Sequence, residues 1–109
     1  MASELGFVEY VCDQMSGAGR ITFRKMFGEF AVYCDGKVVA LVCDDQLFLK
    51  VTPGGRAFIG APVEAPPYPG ARPAFLIEDH IDDRDWMTAL VEVTARELPA
   101  PKPRRPRRK

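Results

Sequence analysis

Between Ile21 and Val51 the chain runs in short segments of alternating apolar and polar residues, broken by dipeptides that favour tight turns. That pattern predicts an antiparallel meander, because side chains of a strand point alternately to its two faces. Ile21, Phe23 and Lys25 share one face of the first run, and Thr22, Arg24 and Met26 the other. Gly28-Glu29 interrupts the alternation, as a bulge or bend does, and Phe30 to Cys34 resumes it. Asp35-Gly36 follows, a pair suited to the type I′ hairpin turn, so Lys37 to Asp44 should pair back antiparallel. Asp44-Asp45 offers the next turn, and Leu47 to Val51 a fourth strand.

Helical signals flank the meander. Ser3 can cap a helix whose apolar residues Phe7, Val8, Val11, Cys12 and Met15 recur at three- and four-residue spacing, ended by Ser16-Gly17-Ala18-Gly19. Thr52-Pro53 reads as N-cap and first helical residue of a short helix near Arg56 to Ile59, diluted by Gly54-Gly55. Five prolines between residues 61 and 73 predict an extended or looped segment, and Ala74 to Ile77 a last strand. Asp82 or Asp83 should cap a final helix with Trp86, Ala89, Leu90, Val93 and Leu98 inward and Arg84, Glu92 and Arg96 outward. Residues 1–98 thus form one α+β domain, and residues 99–109 a Pro/Arg tail expected to be disordered.

The formal charge of zero hides an asymmetry. Lys102, Arg104, Arg105, Arg107, Arg108 and Lys109 hold six of the 15 basic residues, leaving nine against all 15 acids over residues 1–98. Such a tail can release at most about six counterions from duplex DNA, giving weak, sequence-independent and salt-sensitive affinity; the alternatives are a solubility role or a tail folded back onto the acidic body. Cys12, Cys34 and Cys43 are odd in number and widely spaced among apolar residues, so they suggest neither disulfides nor a metal knuckle and fit a reducing cytoplasm. There is no stretch of about 20 apolar residues for a membrane span.

Arg24-Lys25-Met26-Phe27-Gly28, followed by Phe30, Tyr33 and Asp35-Gly36, resembles the N-terminal domain of the TfoX/Sxy regulators of bacterial natural competence. Phe48-Leu49-Lys50, Pro66-Pro67-Tyr68 and the closing helix extend the likeness over nearly all of residues 5–98. The resemblance implies an antiparallel sheet of about five strands packed with two or three helices in two layers, similar to secretion chaperones. It also implies a regulatory, non-enzymatic role. Full-length members carry a second, DNA-binding-like domain and act with the cyclic-AMP receptor protein, whereas this chain reads as a stand-alone first domain. Glu29 stands where members usually have a second Gly.

Candidate interaction residues are therefore Arg24, Lys25, Met26, Phe27, Gly28, Phe30, Tyr33, Lys50 and Tyr68. For each, a structural reading competes. Arg24 and Lys25 suit an acidic partner or a solvated strand face; Met26, Phe27 and Phe30 suit a core or a dimer surface; Gly28 suits backbone geometry. His80, the single histidine, lies among Glu78, Asp79, Asp82 and Asp83, which read as a capping cluster better than as a cation site. No nucleophile stands in a motif that supplies a base, and no glycine-rich stretch ends in the Lys-Ser/Thr of a phosphate loop, so neither catalysis nor a cofactor is expected. Two functions remain: a regulatory domain, expected as a homodimer, that binds a protein partner while its tail touches nucleic acid, or a chaperone-like or small-ligand module using the sheet near Phe27 and Phe30 with Tyr68 in a lid.

Overall fold

A computed structural model describes residues 5–26 and 29–98. The N-terminal residues with Ser3, the Phe27-Gly28 pair and the tail from Pro99, including all six of its cations, lie outside the described residues, as does the side chain of Met26. The chain is α+β, with an open antiparallel sheet of six strands and three helices among the described residues. In chain order these are α1 (Leu5–Met15), a 3-10 turn (Ser16–Ala18), β1 (Ile21–Met26), β2 (Glu29–Cys34), β3 (Lys37–Cys43), β4 (Gln46–Leu49), α2 (Pro53–Ile59), β5 (Val63–Ala65), β6 (Ala74–Ile77) and α3 (Arg84–Glu97). No helix among the described residues is long and apolar enough to cross a membrane.

Strands β1 to β4 form the expected meander, and β6 then β5 extend it in the order β1-β2-β3-β4-β6-β5. The hairpin between β2 and β3 closes with Cys34 opposite Lys37, and both Asp35 (φ 51°) and Gly36 (φ 86°) have the positive φ that a type I′ turn requires. Asp44 and Asp45, also at positive φ, make the next turn between Cys43 and Gln46. The sixth strand corrects the expected five. Val63-Glu64-Ala65 is a three-residue window without proline between Pro62 and Pro66, long enough to pair with Ala74 to Leu76 at the sheet edge, where proline neighbours are tolerated.

All three helices lie on one face of the sheet. That face contributes Phe30, Val32, Ala40, Val42, Leu47, Leu49, Phe75 and Ile77 to the core, against Val8, Val11 and Met15 of α1 and Met87, Leu90 and Val91 of α3. The buried stripe of α3 is Met87, Leu90, Val91 and Thr94, rotated from the expected Trp86, Ala89, Leu90 and Val93. The reason is a second neighbour: Trp86 is half-buried because it packs sideways on Phe58 of α2 and on the His80 ring. Arg84, Glu92 and Arg96 are exposed as expected.

Capping follows the sequence closely. Thr52 Oγ1 accepts from the Gly55 N–H at 3.0 Å and starts α2 one turn earlier than Arg56, with Pro53 in the first turn. Asp83 Oδ1 accepts from the Trp86 N–H at 3.0 Å and starts α3. The end of α3 is held by Lys37, whose Nζ donates to the carbonyls of Ala95 and Leu98 at 2.7 and 3.1 Å, a cation on the negative end of the helix dipole. Across the other end, Arg84 pairs with Asp13 at 2.7 Å, Gln14 Nε2 donates to the Ile81 carbonyl at 2.9 Å and the Tyr10 hydroxyl donates to Asp82, so α1 and α3 are tied by their starts and ends.

Candidate binding groove

The face of the sheet turned away from the helices is crossed by one row of residues in register: Arg24, Ala31, Leu41, Phe48, Leu76 and Val63, from β1 through to β5. Five of the six are apolar. In an antiparallel sheet with a solvated face, these positions ordinarily read polar. Phe48 is buried yet stands apart from the helix-side core, and Val63 is 59% exposed.

A groove of ≈ 500 Å³ opens on this face, with Val38, Leu41 and Phe48 among its floor residues. Val38 and Leu41 are three apart and would normally point to opposite faces. A β-bulge reconciles them: Val32 pairs with Ala40 but Tyr33 with Val38, so Val39 is an extra residue and turns inward to the core. The opposite wall comes from the proline-rich segment. There, Tyr68-Pro69-Gly70-Ala71 makes a tight turn with the Ala71 N–H donating to the Tyr68 carbonyl at 3.0 Å, and Gly70 at φ 88° after proline has the pattern of a type II turn. The turn sets Tyr68 and Arg72 against the groove, and Pro67 and Pro73 beside them leave no N–H to compete for partners.

Lys50 completes the wall. Its N–H donates to the Val39 carbonyl at 2.9 Å, continuing the β3–β4 ladder by one residue, which keeps its side chain on the face of Phe48. Lys50 and Tyr68, separate candidates in the sequence, are thus brought together. Of the other candidates within the described residues, Phe30, Tyr33, Arg24 and Lys25 do not line the groove. Phe30 is 5% exposed, in the helix-side core with its ring edge-on to Phe23 at 5.8 Å, so it shares no surface with Tyr68 and the expected lid over Phe30 is corrected. Its alternate position in β2 from Ala31 decides this. Tyr33 is half-buried opposite Val38, and Arg24 and Lys25 are exposed on the edge strand β1. Arg72, Val38, Leu41 and Phe48 were missed as site residues. Only the Pro-Gly turn before Arg72 carries a sequence signal; the bulge at Val39 has none.

The three thiols take structural positions. Cys34 and Cys43 are buried and Cys12 is half-buried. Burial pushes the Cys12 thiol up to about 11, and burial followed by the hydrogen bond to Glu29 pushes Cys43 up to about 12. Cys43 Sγ donates to Glu29 Oε1 at 2.7 Å, so Glu29 has a partner within the sheet. Burial likewise raises Cys34. His80 sits at φ 71° with its ring stacked 4.5 Å from that of Trp86 and its carbonyl accepting from the Asp83 N–H, a place in the approach to α3. Among the described residues no three His, Cys, Asp or Glu side chains gather as a metal-holding group.

Residues 13–98, from the end of α1 to the end of α3, match the family model of the TfoX N-terminal domain. The chain belongs to that family. A Spirochaeta aurantia relative, an uncharacterized 12.7 kDa protein in the trpE 5′ region, is 39% identical over all 109 residues and 95% of its own length. Within the TfoX N-terminal domain as this chain builds it, the pair flanking the signature's Phe27-Gly28, Met26 of β1 and Glu29 of β2, stands in register. The groove lies across the sheet from it.

Proposed function

We propose that the chain is a non-catalytic regulatory domain that captures a partner on the helix-free face of its sheet. The single observation behind the reading is the apolar row from Ala31 to Val63 with the groove under the Tyr68 turn, a surface that contributes nothing to the helix-side core. Ala31 and Phe48 of that row are buried, but Leu41 and Leu76 are half-buried and Val63 is exposed, and apolar surface left accessible in this way favours binding. The transcriptional and competence role of the wider family, a cytoplasmic location and a homodimer belong to the same reading. So does weak, sequence-independent nucleic-acid affinity through the tail.

Val51 and Tyr68 are 39% and 47% exposed at the groove, so Val51→Glu/Tyr68→Ala leaves the core intact. Immobilised wild-type chain incubated with lysate of its native cell should retain a protein that this variant loses. Retention of every bound protein by the variant would remove the face as the binding surface. Deleting residues 99–109 should abolish salt-sensitive retention on DNA, and unchanged retention would refute the role of the tail.

A further inference from the structure

Residues 1–98 carry nine basic residues and 15 acids, yet two of the bases and none of the acids line the groove. Of the other cations of the body, Arg56 pairs with Glu64, Arg84 with Asp13 and Lys37 with two carbonyls at the end of α3, while Arg20, Arg24, Lys25 and Arg96 are exposed away from the groove lining. Lys50 and Arg72 are exposed, and neither side chain is in an ion pair or hydrogen bond among the described residues. Two unneutralised cations above an apolar floor make a local positive potential on an acidic body, which selects ligand charge.

From this charge pattern we infer that the groove binds a small amphiphilic anion, an acyl or aryl carboxylate of about ten carbons, a size that a groove of this volume encloses. The apolar body lies on Val38, Leu41 and Phe48, and the carboxylate is held by Lys50 and by Arg72, whose planar fork matches a carboxylate in two hydrogen bonds. The Tyr68 ring adds a flat apolar wall with a hydroxyl at its tip. A cationic or neutral amphiphile of the same length finds the floor but not the head contacts. The inference rests on the reading of the helix-free face as the binding surface and adds the class of ligand.

Decanoate, kept below its micellar concentration and titrated into the ¹⁵N-labelled full chain, tests it. Amide signals of Leu41, Phe48, Lys50, Val51 and Arg72 should shift and saturate together. Lys50→Glu/Arg72→Glu should weaken the apparent Kd at least tenfold with an unchanged circular dichroism spectrum, and the neutral Lys50→Gln/Arg72→Gln should do so to a lesser degree. Decyltrimethylammonium, with the same chain and the opposite charge, should not saturate these signals. Four results would each overturn the inference: shifts that never saturate, equal response to the cationic amphiphile, unaltered affinity in both double variants, or concentration-dependent shifts of the same amides without ligand, which would assign the groove to a second copy of the chain. Should decanoate fail while Val51→Glu/Tyr68→Ala still loses a protein partner, the ligand class falls and the face stands.

Discussion

Gly54→Ala is the sharpest test of how α2 is seated on α3. In an open helix the change stabilises by about 0.4–1 kcal/mol, because alanine loses less backbone freedom on folding. Here a Cβ on Gly54 would lie 2.7 Å from Val93 Cγ1 and collide with the Glu97 carboxylate, whose Oε1 accepts the Gly54 N–H at 2.7 Å. Carbon atoms in contact sit at about 3.5–4.0 Å, so α2 must back away by roughly 1 Å or Val93 must leave its rotamer. Overpacking of that kind costs about 1–3 kcal/mol. Set against the propensity gain, the net effect is a destabilisation of about 1–2 kcal/mol. Trp86, the only tryptophan, lies 5.4 Å from Phe58 of α2 and reports the contact by fluorescence. With a urea slope of about 1.5 kcal/mol per molar, the unfolding midpoint should fall by about 1 M. Moving the helix end of Glu97 is cheap, whereas Val93 is short and β-branched, so Val93→Ala should remove most of the cost in a double-mutant cycle. A raised midpoint for Gly54→Ala, or a cost unchanged in the Val93→Ala background, would refute the close approach of α2 and α3 as the reason for glycine.

Thr94 is fully buried in α3, and its hydroxyl has no hydrogen-bond partner among the described residues, so Thr94→Val should stabilise by about 1 kcal/mol in the same urea assay; a loss of stability would show that the hydroxyl is satisfied. The Cys43 thiol, raised from its ordinary 9.0 to about 12 chiefly by burial and then by Glu29, favours the folded state fully below pH 9 and loses that contribution as pH climbs from 9 towards 12. The wild type should therefore lose stability more steeply than Cys43→Ala between pH 9 and 11, and a thiol reagent at pH 8 should label the native chain far more slowly than the unfolded one. Equal slopes, or three thiols labelled rapidly in the native state, would contradict the burial.

Much of the fold was legible because its decisive residues act locally. Asp35-Gly36 supplies a turn whatever surrounds it, and Thr52-Pro53 and Asp83 cap helices through bonds that span three residues. Where the outcome depends on neighbours distant in sequence, the reading failed. Gly54-Gly55 looked like a flaw in α2; in the fold their lack of side chains lets α2 meet α3. The rotated stripe of α3 came from packing against α1 and α2 together, which the periodicity of one helix does not encode. β5 was hidden because prolines bracket it, and three residues carry too little alternation to announce a strand.

The groove illustrates the same division at the level of the site. Lys50 and Tyr68 attracted notice as single residues, and Phe30 for its aromatic ring, but only pairing register separates them: Phe30 shares its face with Val42, whereas Phe48 stands opposite Leu41 on the other. The inserted Val39 then brings Val38 to that second face without glycine or proline to mark it. Where the helix-free face of a sheet is solvated, its central row favours Thr, Lys or Glu, since β-rich apolar rows left open invite association. This chain instead places Ala31, Leu41, Phe48, Leu76 and Val63 there, and sets the two groove cations beside them on a body with an excess of acids. With the groove proposed as the binding surface and Phe30 spent on the core, variation at Val51, Lys50, Tyr68 and Arg72 should alter binding while leaving stability nearly unchanged.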